Sequence, residues 1–378
     1  MAIAGKLART ACRALGRIMP INRRKIVFCS YCGRGYSDNP KAIAEELLRR
    51  GSKAELVWLV KNEAEAKTLP EGVRPCLYGS YRHILELSTA RVWVDNCRKY
   101  DKNKRKGQFY LQAWHGFPLK RIEGDVEDAL EEGYVFCAKR DSSFIDLLLA
   151  YAEADREILA RCYWYDGEIA VWGVPRNDVF INGNVAIHKK VRDAFSLPED
   201  RKLVLYAPTF RVDLSTDAYK LDAAALKAAC EQRFSGEWSV LIRLHPNVAA
   251  KSEGLFLYDG ENVLDATMYP DMQELLVASD FLITDYSSSM FDFGLSGKPC
   301  FRFATDIESY MQDRNFYFDF EEIPFPATYS NEELIAKISN FSNEDYSAKR
   351  EAFYNRLNFV TDGKASARCA DWIEEKLG

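Results

Sequence analysis

Short apolar runs separated by helix-forming segments recur along this chain, and that alternation limits its fold more than any other feature. Lys25–Cys29, Leu56–Val60, Val92–Asp95, Phe109–Ala113, Val135–Ala138 and Ile169–Trp172 read as strands, with helices over Pro40–Arg50, ending at Gly51, and Tyr81–Leu87. The rhythm restarts with strands at Leu203–Tyr206, Val240–Arg243, Phe281–Thr284 and Cys300–Phe303, and helices at Ala223–Cys230 and Met272–Ala278. Strands alternating with helices predict parallel sheets covered on both faces. Two such runs in 378 residues, divided around Gly173–Asp178, predict an α/β protein of two Rossmann-like domains facing each other across a cleft. The expected segments are a basic amphipathic stretch at 1–24, a first domain at 25–175 and a second at 176–378, whose last helix is free to cross back.

Charge and composition narrow the function. No acid precedes Asp38, whereas eight basic residues lie between Lys6 and Arg34, so the rest of the chain is strongly acidic. An acidic body argues against a nucleic-acid binder. As a helix, residues 3–18 place Ile3, Leu7, Ala11, Leu15 and Ile18 on one face and Lys6, Arg9, Arg13 and Arg17 on the next. Such a helix suits an anionic bilayer surface; a frayed surface helix, or one docked on its own protein, fits the pattern equally well. Pro20 ends it. Ten cysteines are too sparse for a disulfide scaffold; those within apolar runs (Cys76, Cys137, Cys300) read as buried thiols of a reducing cytosol. Four histidines argue against a histidine-built metal site.

Ligands of open α/β sheets bind beyond the carboxyl ends of strands, so the polar residues there are the candidates. Trp114-His115-Gly116-Phe117-Pro118 follows one strand, with an imidazole for proton transfer and a glycine that lets backbone approach a ligand. Tyr206-Ala207-Pro208-Thr209-Phe210-Arg211 follows another, with a hydroxyl and a guanidinium suited to phosphate oxygens. In Arg243-Leu244-His245-Pro246, period-two alternation sets Arg243 and His245 on one side. The serine run Ser287-Ser288-Ser289, between a strand and a predicted helix, offers hydroxyls and N–H groups to an anion. Structural pairing of each group is the competing reading.

Two motifs fail. Cys29-Ser30-Tyr31-Cys32 has CxxC spacing without a second pair at zinc distance or a redox-type helix beside it. Gly33-Arg34-Gly35 cannot complete a dinucleotide fingerprint, because position 38 is Asp.

Taken together, these segments resemble the CDP-glycerol glycerophosphotransferase family, the teichoic acid primases and polymerases. The motifs run in family order: Tyr36-Ser37-Asp38-Asn39-Pro40, Trp114-His115-Gly116, Gly173-Val174-Pro175-Arg176-Asn177-Asp178, Tyr206-Ala207-Pro208-Thr209, Arg243-Leu244-His245-Pro246, and Ser279-Asp280 through Asp292. The resemblance implies a GT-B-like fold. It also implies a reaction that moves an alditol phosphate from a CDP-alditol to a hydroxyl of a lipid-linked wall or capsule precursor, releasing CMP, at the cytoplasmic face of the membrane. By the same resemblance His115 is the general base, and Arg243 and His245 stabilise diphosphate charge. Ser287 and Ser288 hold phosphate oxygens, Asp292 and Arg176 bind the donor, and Pro208 and Thr209 contact the nucleotide; Gly116, Pro118 and Arg211 complete the substrate-binding set. No cofactor is implied; a divalent ion, if used, would be a partner of the diphosphate. Where the family motif usually has a threonine this chain has Phe117, which puts the alditol's identity in question. The lack of an added acceptor-tracking module leans toward a primase or short-chain enzyme. A sugar-nucleotide glycosyltransferase and a non-catalytic nucleotide-binding scaffold are the alternatives.

Overall fold

The computed structural model describes residues 2–99, 104–183, 185–211, 216–245, 248, 254–313 and 315–378; side chains are described from Ala8 onward, except at 312 and 313. The chain forms two compact units, residues 1–115, 122–178 and 359–378 in the first and residues 116–121 and 179–358 in the second.

The first unit is built on seven parallel strands: β1 (Asn22–Cys29), β2 (Glu55–Val60), β3 (Val73–Leu77), β4 (Ala90–Asp95), β5 (Phe109–Gln112), β6 (Leu147–Ala150) and β7 (Ile169–Val171), in the order β3-β2-β1-β4-β5-β6-β7. The apolar runs are unbroken because both faces of this sheet are covered. Ile26 and Phe28 enter one core with Trp58, Val92 and Leu111, while Val27 and Cys29 point to the opposite core with Trp93 and Tyr110. Each such side chain, fully buried, contributes roughly 1.5–3 kcal/mol before entropy is counted. The last helix, Ala365–Leu377, returns to this unit and lays Cys369, Ala370, Trp372 and Ile373 on the first core. Arg50 ties it down through Asp371 (2.6 Å) and Glu374 (3.1 Å).

The second unit holds six parallel strands: β8 (Lys202–Tyr206), β9 (Trp238–Ile242), β10 (Val263–Asp265), β11 (Phe281–Thr284), β12 (Cys300–Phe303) and β13 (Ala327–Thr328), ordered β10-β9-β8-β11-β12-β13. The α/β class and the two parallel sheets are as the sequence predicts. One predicted strand is wrong: Val135–Ala138 lies inside the helix Glu132–Ser142. Its β-prone residues are overridden by packing, since Ala138, Asp141 and Ser142 are buried and Phe136 is 67% exposed. Glu132 in the first turn and Lys139 and Arg140 in the last also suit the helix dipole.

The helix Ala2–Ile18 forms and docks on the helix Tyr81–Thr89. A Cβ on Gly16 would stand 2.4 Å from Ser88 Oγ, so only glycine permits this approach. Arg105 locks the joint, donating from Nη1 to the carbonyls of Gly16 (2.7 Å), Met19 and Ser88 (both 2.8 Å). Leu15 and Ile18 remain 47% and 80% exposed, so these two apolar side chains face outward while Gly16 sits against Ser88.

Candidate active site

Each sheet reverses its strand order once, between β1 and β4 in the first unit and between β8 and β11 in the second. A crevice opens beyond the strand ends at such a point. Several of the sequence-predicted residues follow strands of these two sheets.

In the first unit His115 follows β5 and its Nδ1 lies 2.7 Å from the carbonyl oxygen of Asn96, which follows β4. A carbonyl only accepts, so Nδ1 carries the proton and Nε2 presents a lone pair. Burial pushes the imidazole pKa below its ordinary value, outweighing the Asn96 hydrogen bond and nearby Asp38, which raise it. His115 is therefore neutral near pH 7 and suited to accept a proton.

The backbone that presents this ring is held from below. Arg176 is only 7% exposed and donates to the His115 carbonyl (2.9 Å), Asp38 Oδ2 (2.6 Å) and the Tyr151 hydroxyl (2.6 Å). Tyr31 donates to the same Asp38 oxygen at 2.6 Å, and Asn39 Nδ2 donates to the Trp114 carbonyl at 3.0 Å. Burial raises the Asp38 pKa, but Arg176 and the hydrogen bonds from Tyr31 and Asn39 outweigh it and hold the carboxyl below its usual range. Asp38, Trp114, Tyr31 and Cys32 all take positive φ (64°, 50°, 44° and 56°), a clustering of backbone strain typical of functional sites. Arg176, read from sequence as a donor-binding residue, thus has a positioning task. The same motif does further structural work: Asp178 accepts from the N–H groups of Ala365 (3.0 Å) and Ser366 (2.7 Å), capping the last helix.

In the second unit Pro208 and Thr209 follow β8, and Arg243 and His245 follow β9. The Thr209 N–H donates to Asp285 at 2.8 Å, while its hydroxyl is buried without a hydrogen-bond partner among the described residues. Arg243 is half-buried and donates to the carbonyls of Ala266 (3.3 Å) and Tyr269. His245 is exposed, its ring 5.0 Å from that of Phe210; Pro246 lies outside the described residues. Ser287 and Ser288 are half-exposed beyond β11, with Ser289 donating to Ser287 Oγ at 2.9 Å. The helix after them, Ser289–Phe293, is five residues long, so its dipole adds little and the hydroxyls are what this turn offers.

Four residues from the sequence list sit differently. Arg211, expected on a phosphate, is 8% exposed and bound to Asp306 (2.6 and 2.9 Å) and Asp285 (2.9 Å). Asp292 is 2% exposed, so its carboxylate is withdrawn into the unit, and Pro118 is buried. Gly116 is buried where a Cβ would meet Ser288 Oγ at 2.4 Å. Phe117 fills an aromatic core with Phe291 (4.9 Å) and Phe318 (5.6 Å), so the residue departing from the family motif is an anchor.

Sequence reasoning gave no role to Asp38, Asn96, Tyr151, Asp285 or Asp306. Asp38 and Asp285 stood inside quoted motifs, which was their only signal; Asn96, Tyr151 and Asp306 act through contacts 19 to 95 residues away.

Residues 12–375 match the model of the family described as CDP-glycerol:poly(glycerophosphate) glycerophosphotransferase. A teichoic acid poly(glycerol phosphate) polymerase of Staphylococcus epidermidis is 33% identical over 94% of this chain and 51% of its own length. The chain thus spans about half of that relative. A teichoic acid glycerol-phosphate transferase of Staphylococcus aureus is 31% identical over 93% of both chains. The solved structure of the wall teichoic acid polymerase TagF superposes with a TM-score of 0.86 at 30% identity, covering 98% of this chain and 93% of that one.

Proposed function

The chain belongs to the CDP-glycerol:poly(glycerophosphate) glycerophosphotransferase family, and from that premise we propose that it moves glycerol phosphate from CDP-glycerol to a hydroxyl of a membrane-linked wall-polymer precursor. The observation that carries this reading is the His115 ring, its Nδ1 proton committed to Asn96 and its pKa depressed by burial. Nε2 takes the proton of the acceptor hydroxyl as that oxygen bonds to the glycerol-bearing phosphorus, and the phosphorus–oxygen bond to CMP breaks. Positioning and charge stabilisation do the rest. Ser287 and Ser288 hydroxyls hold phosphate oxygens, Arg243 and His245 offset diphosphate charge, and Pro208 and Thr209 meet the nucleotide. A divalent ion, where one takes part, rides on the diphosphate.

The acceptor's lipid anchor gives the amino-terminal helix a purpose. Leu15 and Ile18 face outward with Arg9 and Arg17 exposed beside them, an apolar edge flanked by cations that matches an anionic bilayer surface. Among the described residues no helix is long and apolar enough to span a membrane.

Purified protein incubated with a lipid-linked acceptor and either CDP-glycerol, CDP-ribitol or UDP-sugars tests the proposal by the nucleotide released. CMP from CDP-glycerol is expected, and His115→Ala should lower it by roughly 10²–10⁴-fold, the usual contribution of a general base. UDP release would favour a glycosyltransferase, and no release from any donor a scaffold. Undiminished CMP release by His115→Ala would remove the base.

A further inference from the structure

The Cys29-Ser30-Tyr31-Cys32 motif failed as a metal or redox pair on sequence spacing, and the fold shows a different pairing. Cys29 ends β1 and is buried, whereas Cys32 lies in the turn beyond it, half-exposed. Cys97 lies in the turn after β4, itself half-exposed, near enough to Cys32 for the two thiols to perturb each other. The two turns are fastened together, Tyr31 N–H donating to Asn96 Oδ1 at 2.9 Å and Asn96 Nδ2 to Ser30 Oγ at 3.4 Å. Cys97 Sγ in turn lies 3.9 Å from His115 Nδ1, and the residue before it supplies the carbonyl that orients the imidazole.

We propose that Cys32 and Cys97 are an oxidation site, a reversible thiol–disulfide pair through which peroxides silence the adjacent His115. The disulfide depends only on the two thiols; the silencing rests on His115 acting as base.

The two sulfurs are differentiated. The hydrogen bond from Cys97, outweighing burial, brings the Cys32 thiol down to about 7, while that same bond and burial push Cys97 up. Cys32 is therefore the nucleophile and Cys97 the resolving thiol. The Cys32 thiolate attacks one oxygen of hydrogen peroxide, forming S–O, breaking O–O and releasing hydroxide. Cys97 sulfur then attacks the sulfenic sulfur, forming S–S and breaking S–O; the Cys97 proton leaves with that hydroxide as water. The thiols supply two electrons, which reduce the peroxide to water. A disulfide brings its two sulfurs closer than any non-bonded contact, so closing it draws Cys97, and with it the Asn96 carbonyl, toward the β1 turn.

The test treats the reduced full-length protein with micromolar to millimolar hydrogen peroxide, maps disulfides by peptide mass spectrometry and follows CMP release from CDP-glycerol. A Cys32–Cys97 link is expected, with release lowered at least about tenfold and restored by dithiothreitol; that floor is set by the contribution of a general base. Cys32→Ser should keep basal release and hold it after peroxide. Recovery of Cys32 reduced, or as sulfinic acid without a link to Cys97, overturns the pair. A mapped link that leaves release unchanged, while His115→Ala still abolishes it, overturns the silencing. If His115→Ala is itself active, the base reading has failed, and the mapped link still supports the thiol pair.

Discussion

Replacing Arg176 by methionine tests the scaffold beneath His115. The guanidinium joins three groups of the first unit, Asp38 at 2.6 Å, Tyr151 at 2.6 Å and the His115 carbonyl at 2.9 Å, and both members of its ion pair are under 10% exposed. Methionine fills much of the volume but leaves the Asp38 carboxylate buried without its cation. Breaking a buried pair from one side costs about 3–5 kcal/mol, mostly the penalty of the stranded charge. In a unit of this size that lowers the melting temperature by about 10 °C. The sign with pH follows from Asp38, whose folded pKa lies below its unfolded value. Its stabilisation is present above the ordinary carboxylate range and is lost as pH falls below that range, through the depressed folded value. The gap between wild type and Arg176→Met, read by scanning calorimetry, should therefore be widest near pH 7 and shrink below about pH 4. Adding Asp38→Asn removes the stranded charge and should recover part of the loss. A penalty under about 1 kcal/mol, or a double variant as destabilised as the sum of the singles, would refute the argument.

Other consequences of the geometry are as direct. Because burial depresses the His115 pKa, the acidic limb of the pH profile for kcat/KM should fall below the ordinary histidine value, rate being lost as pH drops and the ring takes a proton; a limb above about 6.5 would contradict this. Gly116→Ala places a methyl 2.4 Å from Ser288 Oγ, so a melt should show roughly 1–3 kcal/mol of destabilisation, partly relieved by Ser288→Ala; no change in the melt would mean that this contact yields freely. Gly16→Val should lift the amino-terminal helix off Ser88 and expose it to limited proteolysis, while unchanged protection would show that other contacts hold it. Leu15→Glu with Ile18→Glu should weaken sedimentation with anionic vesicles severalfold without lowering the melting temperature, because both side chains already face outward; equal sedimentation would move the membrane surface elsewhere.

The alternation of apolar runs and helical spacing determined the α/β class and the two parallel sheets, because a strand buried on both faces must be apolar along its whole length. Ordered motifs likewise pointed to His115, Thr209, His245 and the serine turn, since strand ends are where such sheets expose backbone and polar side chains. Sequence was silent on how polar groups are shared. Arg176 and Arg211 look alike as cations near strand ends, yet each is taken by acids remote in sequence, Asp38 and Asp306. The strand Val135–Ala138 became a helix. Local pattern reports which residues must leave water. Which charge meets which, and so which arginine remains for a ligand, is settled by distances between chain segments that only the folded structure brings together.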